Sequence, residues 1–161
     1  MNAKILDFDE LTERAGQLRA RGERLVATNG CFDLLHVGHV RYLHAARALG
    51  EALAVGVNGD QSVRELKGIG RPVNNESDRA EVLAALKCVD LVTIFPEKRA
   101  TRFIEAARPA IYVKGGDYSS DTLNAEEQAL LGEIGAEVRI LPFVPGYSTS
   151  KLLEHLRQAI Q

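Results

Sequence analysis

Asn29-Gly-Cys-Phe-Asp-Leu-Leu-His-Val-Gly-His39 lies between two stretches of different periodicity. Upstream, Arg24-Leu-Val-Ala-Thr-Asn29 is a short apolar run ended by Gly30, which reads as a buried strand. Downstream, Tyr42, Leu43, Ala46 and Leu49 repeat at helical spacing until Gly50, which predicts a helix from His39 to Leu49. Strand, turn and helix in that order open a crossover unit of a parallel sheet.

The same alternation continues outward. Asp7 to Gly22 reads as an amphipathic helix, with Phe8, Leu11, Ala15 and Leu18 near one face and Gly22 as its stop. Ala52–Val57 is a second strand, and Ser62–Leu66 a short helix at most. Lys67 to Asn75 holds Gly68, Gly70 and Pro72 and is a loop, after which Asn75 or Ser77 caps a helix from Asp78 to about Lys87. Leu91–Phe95, Ala110–Lys114 and Glu137–Leu141 are further strands. Arg99–Arg108, Ala125–Gly135 and Thr149–Ile160 are further helices. The pattern predicts an α/β fold: one domain, 1–161, with an N-terminal helix (1–22) and a doubly wound, five-stranded parallel core (24–160) of Rossmann-like type. Ligands of such sheets sit beyond the carboxyl ends of the strands, where the strand order reverses.

At 161 residues the chain can bury one core without staples, and its 45% hydrophobic and 26% charged content is ordinary for a globular domain. A net charge of −2 gives no basic face and argues against nucleic acid as partner. Cys31 and Cys88 make no disulfide framework. The polar start and the lack of an apolar run of about 18 residues place the protein in the cytoplasm by default, off the membrane.

The turn after the first strand presents the amino end of a helix to the ligand cleft, where free N–H groups and the helix dipole favour an anion. Gly30, Cys31 and Phe32 lead into it, and Gly38 leaves room for a phosphate to approach the backbone. His36 and His39 are three apart and can aim both imidazoles at one phosphoryl group. The bland alternatives are a surface or capping role, or a zinc site. No Cys or carboxylate at ligand spacing joins the pair, so no metal ligands are assigned. A Gly-x-Gly-x-x-Gly turn is missing, which argues against NAD.

A second hydroxyl-rich segment, Pro145-Gly-Tyr147-Ser148-Thr149-Ser150-Lys151, opens the last helix. One of Ser148 and Thr149 serves as N-cap, and the remaining hydroxyl and N–H groups can hold a phosphate. Lys67, Arg71 and Arg79 are solvated charges taken singly, and a cationic clamp taken together. Lys114-Gly115-Gly116-Asp117 ends the fourth strand, where paired glycines admit a base or ribose and Asp117 can accept a ribose hydroxyl; a plain tight turn is the alternative. Asp33, Asn58 and Asp60 are candidate contacts to the acceptor. Cys31 reads as a packed small residue rather than a nucleophile.

With these residues in view, the chain resembles the nucleotidyltransferase superfamily. His36-Val-Gly-His39 matches its HxGH signature, and Tyr147–Lys151 its ISTTK-type segment. The resemblance implies that Lys67 and Arg79 contact phosphate and act with the histidines in catalysis. Within the superfamily, Asn29–Asp33, Leu66-Lys-Gly68 with Arg71-Pro72, Asp78–Leu83, Val113–Asp117 and Phe143–Thr149 are similar to the heptose 1-phosphate adenylyltransferase domain that makes ADP-heptose. That likeness spans residues 24 to 157 and implies ATP and D-glycero-D-manno-heptose 1-phosphate as substrates, with Mg²⁺ riding on the triphosphate. It also implies a stand-alone form, a separate heptose kinase, a homodimer and a product that feeds lipopolysaccharide core assembly. Glycerol-3-phosphate cytidylyltransferase is the alternative, but its pattern carries threonine at the position of Cys31 and arginine at that of Phe143. A nucleotide-binding module without chemistry is the third.

Overall fold

The computed structural model describes residues 3–116, 124–142 and 146–159, the side chains at 150, 151 and 156 excepted. The elements run α1 (Phe8–Ala20), β1 (Leu25–Gly30), α2 (Val37–Arg47), β2 (Ala52–Asn58), α3 (Asp60–Lys67), α4 (Glu76–Ala84), β3 (Leu91–Phe95), α5 (Thr101–Ala107), β4 (Ile111–Gly115), α6 (Ala125–Ile134), β5 (Glu137–Leu141) and α7 (Thr149–Ala159). All five strands are parallel, in the order β3-β2-β1-β4-β5. The order reverses between β1 and β4, so the crevice beyond Gly30 and Gly115 is the switch point.

Burial on both faces follows from the strand sequences. Leu25, Ala27, Ala52, Ala54 and Tyr112 turn to the core that also holds Leu11, Phe103 and Leu131. Val26, Leu53, Val55, Ile111 and Val113 alternate with them and meet Leu43, Ala46 and Leu83 on the opposite face. Small residues on the first face let α5 come close: a Cβ on Gly56 would sit 2.8 Å from the Phe103 ring.

Local chemistry sets the helix ends. Asp7 caps α1 by accepting from Glu10 N, and Glu10 returns the bond to Asp7 N. Asn75, one of the two expected caps, accepts from Asp78 N at 2.9 Å. That cap starts α4 at Glu76, two residues before the expected Asp78, and the helix ends at Ala84 rather than near Lys87. The short helix expected over 62–66 is a full eight-residue α3. At the amino end, Ile5 bridges to Val92, with Leu6 N donating to Val92 O and Val92 N to Lys4 O. Lys4 Nζ also donates to Leu86 O and Val89 O. Among the described residues, no helix is long and apolar enough to cross a membrane.

Candidate active site

The turn between β1 and α2 builds the site. Phe32 adopts a left-handed φ of 46°, uncommon for a bulky residue, and this folds its buried ring back over Gly30. A Cβ on Gly30 would meet that ring at 3.0 Å. The same ring stands edge-on to His39, centroids 5.6 Å apart. Phe32 and Gly30, expected at the nucleotide, also form the packing against which His39 stands.

Helix α2 begins at Val37, two residues earlier than expected, which makes His36 its N-cap. His36 N donates to His39 Nδ1 at 3.4 Å, so Nδ1 of His39 is an acceptor and its proton resides on Nε2. The two rings stack with centroids 3.9 Å apart. Burial, with His36 beside it, pushes the His39 pKa down to about 4, and burial lowers His36 as well. Both rings are therefore neutral at pH 7, each with one N–H to give. His36 Nδ1 is buried with no partner among the described residues, so Nε2 is the atom of that ring that can reach a ligand.

Gly38 does not leave an open space. A Cβ there would lie 2.9 Å from His36 Nδ1 and 3.0 Å from Tyr147 Cβ, so its hydrogen is covered by the protein itself. Tyr147 closes over this point, its ring centroid 6.2 Å from that of His36 and 5.8 Å from the Arg41 guanidinium. The amino end of α7 is thereby brought against the start of α2. Ser148 O accepts from Leu152 N as the residue before the helix, while the Thr149 hydroxyl donates to Leu34 O at 3.3 Å. Ser150 falls in the first turn of α7.

The cations divide. Lys67 is exposed at the carboxyl end of α3. Arg64 and Arg71 line a concavity of about 490 Å³ that the loop 68–72 borders. Arg79 is only 2% exposed and is committed to the protein. Its Nε donates to Asn74 O, its NH1 to Cys31 O and Asn58 O, and its NH2 to Asp60 Oδ1 at 2.8 Å. Arg79, expected at a phosphate, thus turns Nε, NH1 and NH2 to protein acceptors: carbonyls beyond β1, at the end of β2 and at Asn74, and the Asp60 carboxylate.

Asp33 and Asn58, expected at the acceptor, likewise have protein partners. Asp33 Oδ1 accepts from Val73 N (2.8 Å) and Asn74 N (3.1 Å), and Oδ2 faces Arg71 Nε at 2.9 Å as an ion pair. Asn58 is buried and donates to Ser62 Oγ. Asp60 remains partly open beside Arg79, its N–H bonded to Glu76 Oε2. Cys31 is half-buried, and burial pushes its thiol up, away from a thiolate.

Across the switch point, Lys114 is buried at the end of β4, donating to Asn29 Oδ1 at 2.7 Å, and Tyr112 donates to the same oxygen. Burial lowers the Lys114 pKa, with Glu127 acting against it. Gly115 and Gly116 follow at the strand's end, whereas Asp117 and Phe143 lie outside the described residues. Sequence reading missed Asn29, Asn74 and Glu76 as partners. Each is an ordinary polar residue near an element end, and only the fold brings its acceptor or donor to it. No group of three or more His, Cys, Asp or Glu among the described residues is placed to hold a metal ion.

Residues 27–155 match the family model described as cytidylyltransferase-like. Three curated relatives, each called bifunctional protein HldE, are 48% identical over 156 residues in Geotalea uraniireducens, 50% over 153 in Koribacter versatilis and 53% over 148 in Methylococcus capsulatus. These alignments cover 97%, 94% and 92% of this chain and 31% of each relative, so the chain spans about a third of their length. Among solved structures, the lipopolysaccharide core biosynthesis protein from Thermoplasma volcanium superposes with a TM-score of 0.63 at 30% identity, over 76% of this chain and 98% of that one. The match runs from the first strand into the last helix, with the paired histidines inside it: the chain belongs to the cytidylyltransferase-like family and is a nucleotidyltransferase.

Proposed function

We propose that the chain transfers AMP from ATP to D-glycero-D-manno-heptose 1-phosphate, giving ADP-heptose and pyrophosphate. The observation that carries the group transfer is the pair of stacked imidazoles at the amino end of α2, beside the switch point of the sheet. The heptose acceptor rests on the sequence resemblance, supported by the likeness to the HldE proteins and to a lipopolysaccharide core biosynthesis protein.

A sugar 1-phosphate is mostly dianionic at pH 7, with a second pKa of about 6, so no general base is required. One of its oxygens attacks the α-phosphorus of ATP in line. The bond from that phosphorus to the bridging oxygen breaks, and pyrophosphate departs with its negative charge. His36 and His39 donate from Nε2 to phosphoryl oxygens and gain strength as that charge develops. Lys67 neutralises phosphate at the cleft's rim, and the amino ends of α2 and α7 add their dipoles. A divalent cation such as Mg²⁺, bound with the triphosphate, would supply further charge neutralisation. The paired glycines after β4 admit the nucleoside, and Arg71 and Asp60 border the acceptor side.

Pyrophosphate release in the presence of Mg²⁺, with ATP and CTP each offered against heptose 1-phosphate and glycerol 3-phosphate, tests this reading. Turnover confined to ATP with the heptose supports it. Turnover with CTP and glycerol phosphate overturns the substrates while keeping the chemistry. Tight ATP binding without turnover in any well replaces the enzyme with a nucleotide-binding module.

A further inference from the structure

We infer that Asp33 is a positioning residue, a peg through which the histidine turn sets the place of the basic loop after α3; this rests on the nucleotidyltransferase reading of the site. The observation is the number of bonds that one buried residue makes to a single segment. Its Oδ1 accepts from Val73 N and Asn74 N, its Oδ2 is paired with Arg71, and its own carbonyl accepts from Asn74 Nδ2 at 2.9 Å. Arg79 fastens the same segment from below through Asn74 O, and the same guanidinium holds Cys31 O, two residues before Asp33.

The other half of the loop is built differently. Gly68 and Gly70 have φ of 90° and 85°, and a Cβ on either would meet nothing within 4 Å. Ile69 between them is fully exposed. Residues 68–70 therefore have little packing of their own, and the loop takes its place from the 71–74 side, where Asp33 grips it. Arg71 is held directly, so the peg fixes where this cation stands relative to His36 and His39, while Lys67 stands at the end of α3 across the unpacked glycines. A carboxylate in an anion-binding cleft would weaken binding if it faced the phosphate directly; here its charge is matched by Arg71 and two N–H groups.

Asp33→Asn keeps the shape and removes the charge. Because a buried site can fail on folding, Arg71→Gln is the companion variant and melting temperatures are read for both. Three readouts apply. Tryptic cleavage at Lys67–Gly68 is the loop's own signal, since the bond after Arg71 precedes proline and resists trypsin. It should quicken at least about 5-fold in each variant, as local opening becomes easier. KM for the acceptor should rise about 10-fold in Asp33→Asn, with kcat changing less. In the Arg71→Gln background the same Asp33 change should cost no more than about 2-fold, because residues acting through one contact are not additive.

An unchanged cleavage rate in variants that melt normally, or an Asp33 effect undiminished in Arg71→Gln, overturns the peg and returns Asp33 to a direct substrate contact. If the unaltered protein turns over no substrate, the functional reading fails, while the cleavage experiment still decides the peg.

Discussion

A proton added to His39 would enter a half-buried ring stacked 3.9 Å from a second imidazole, and the site resists it. With a pKa of about 4 in the folded protein against about 6.5 unfolded, the unfolded chain binds more protons between those values. The stability tied to neutral His39 is thus complete above pH about 6.5 and is lost as pH falls toward about 4. NMR titration of the unliganded protein should show His39 flat through neutral pH, with its inflection near 4; an inflection near 6.5 would sink the neutral pair. His39→Ala should lower kcat by about 10² to 10³, the loss of one donor to developing charge, with the melting temperature little changed. Survival of activity within a few-fold would remove His39 from the chemistry. The pair was legible in the sequence because the helix start forces residues three apart onto one side. The protein partners of Arg79, Asp33 and Asn58 were not, because only the fold decides which groups a buried polar side chain meets.

Where β1, β2, α3 and α4 converge, one guanidinium joins all four. Arg79→Gln should leave carbonyls at Cys31 and Asn58 and the Asp60 carboxylate short of donors, at a cost of about 3 kcal/mol or more. For a domain of this size that is a fall of about 10 °C in melting temperature by calorimetry. A wild-type Tm with lost activity would instead restore Arg79 to the phosphate. The elements themselves were readable because four of the five strands are apolar runs closed by Gly, Asn or Pro, and α1, α4 and α6 carry side-chain caps. Boundaries moved where a cap outweighed periodicity, as Asn75 did in starting α4 early. The contacts that shape the cleft join segments about 40 residues apart, such as Asp33 with Val73 and Arg79 with Cys31. Nothing local in either segment encodes such a bond.

For the molecule as a whole, the alternation of strand and helix foretold a parallel, doubly wound sheet, but not that the residues ahead of α1 extend it. Lys4 to Leu6 run beside Val92 with two backbone bonds, and Lys4 Nζ ties down the turn between α4 and β3 through Leu86 O and Val89 O. Removing residues 1–6 should cost about 2 kcal/mol, lowering Tm by about 6 °C, while ATP binding by the folded fraction stays within about 2-fold. An unchanged Tm would mean that this segment adds nothing to the sheet. Val92 is the second residue of β3, near the amino ends of the strands, whereas the histidines stand past the carboxyl ends. Any polypeptide joined ahead of Lys4, whether an affinity tag or a fusion partner, would therefore emerge at the pole opposite the cleft mouth. The fold can carry passengers on that side without shading the door through which its substrates come and go.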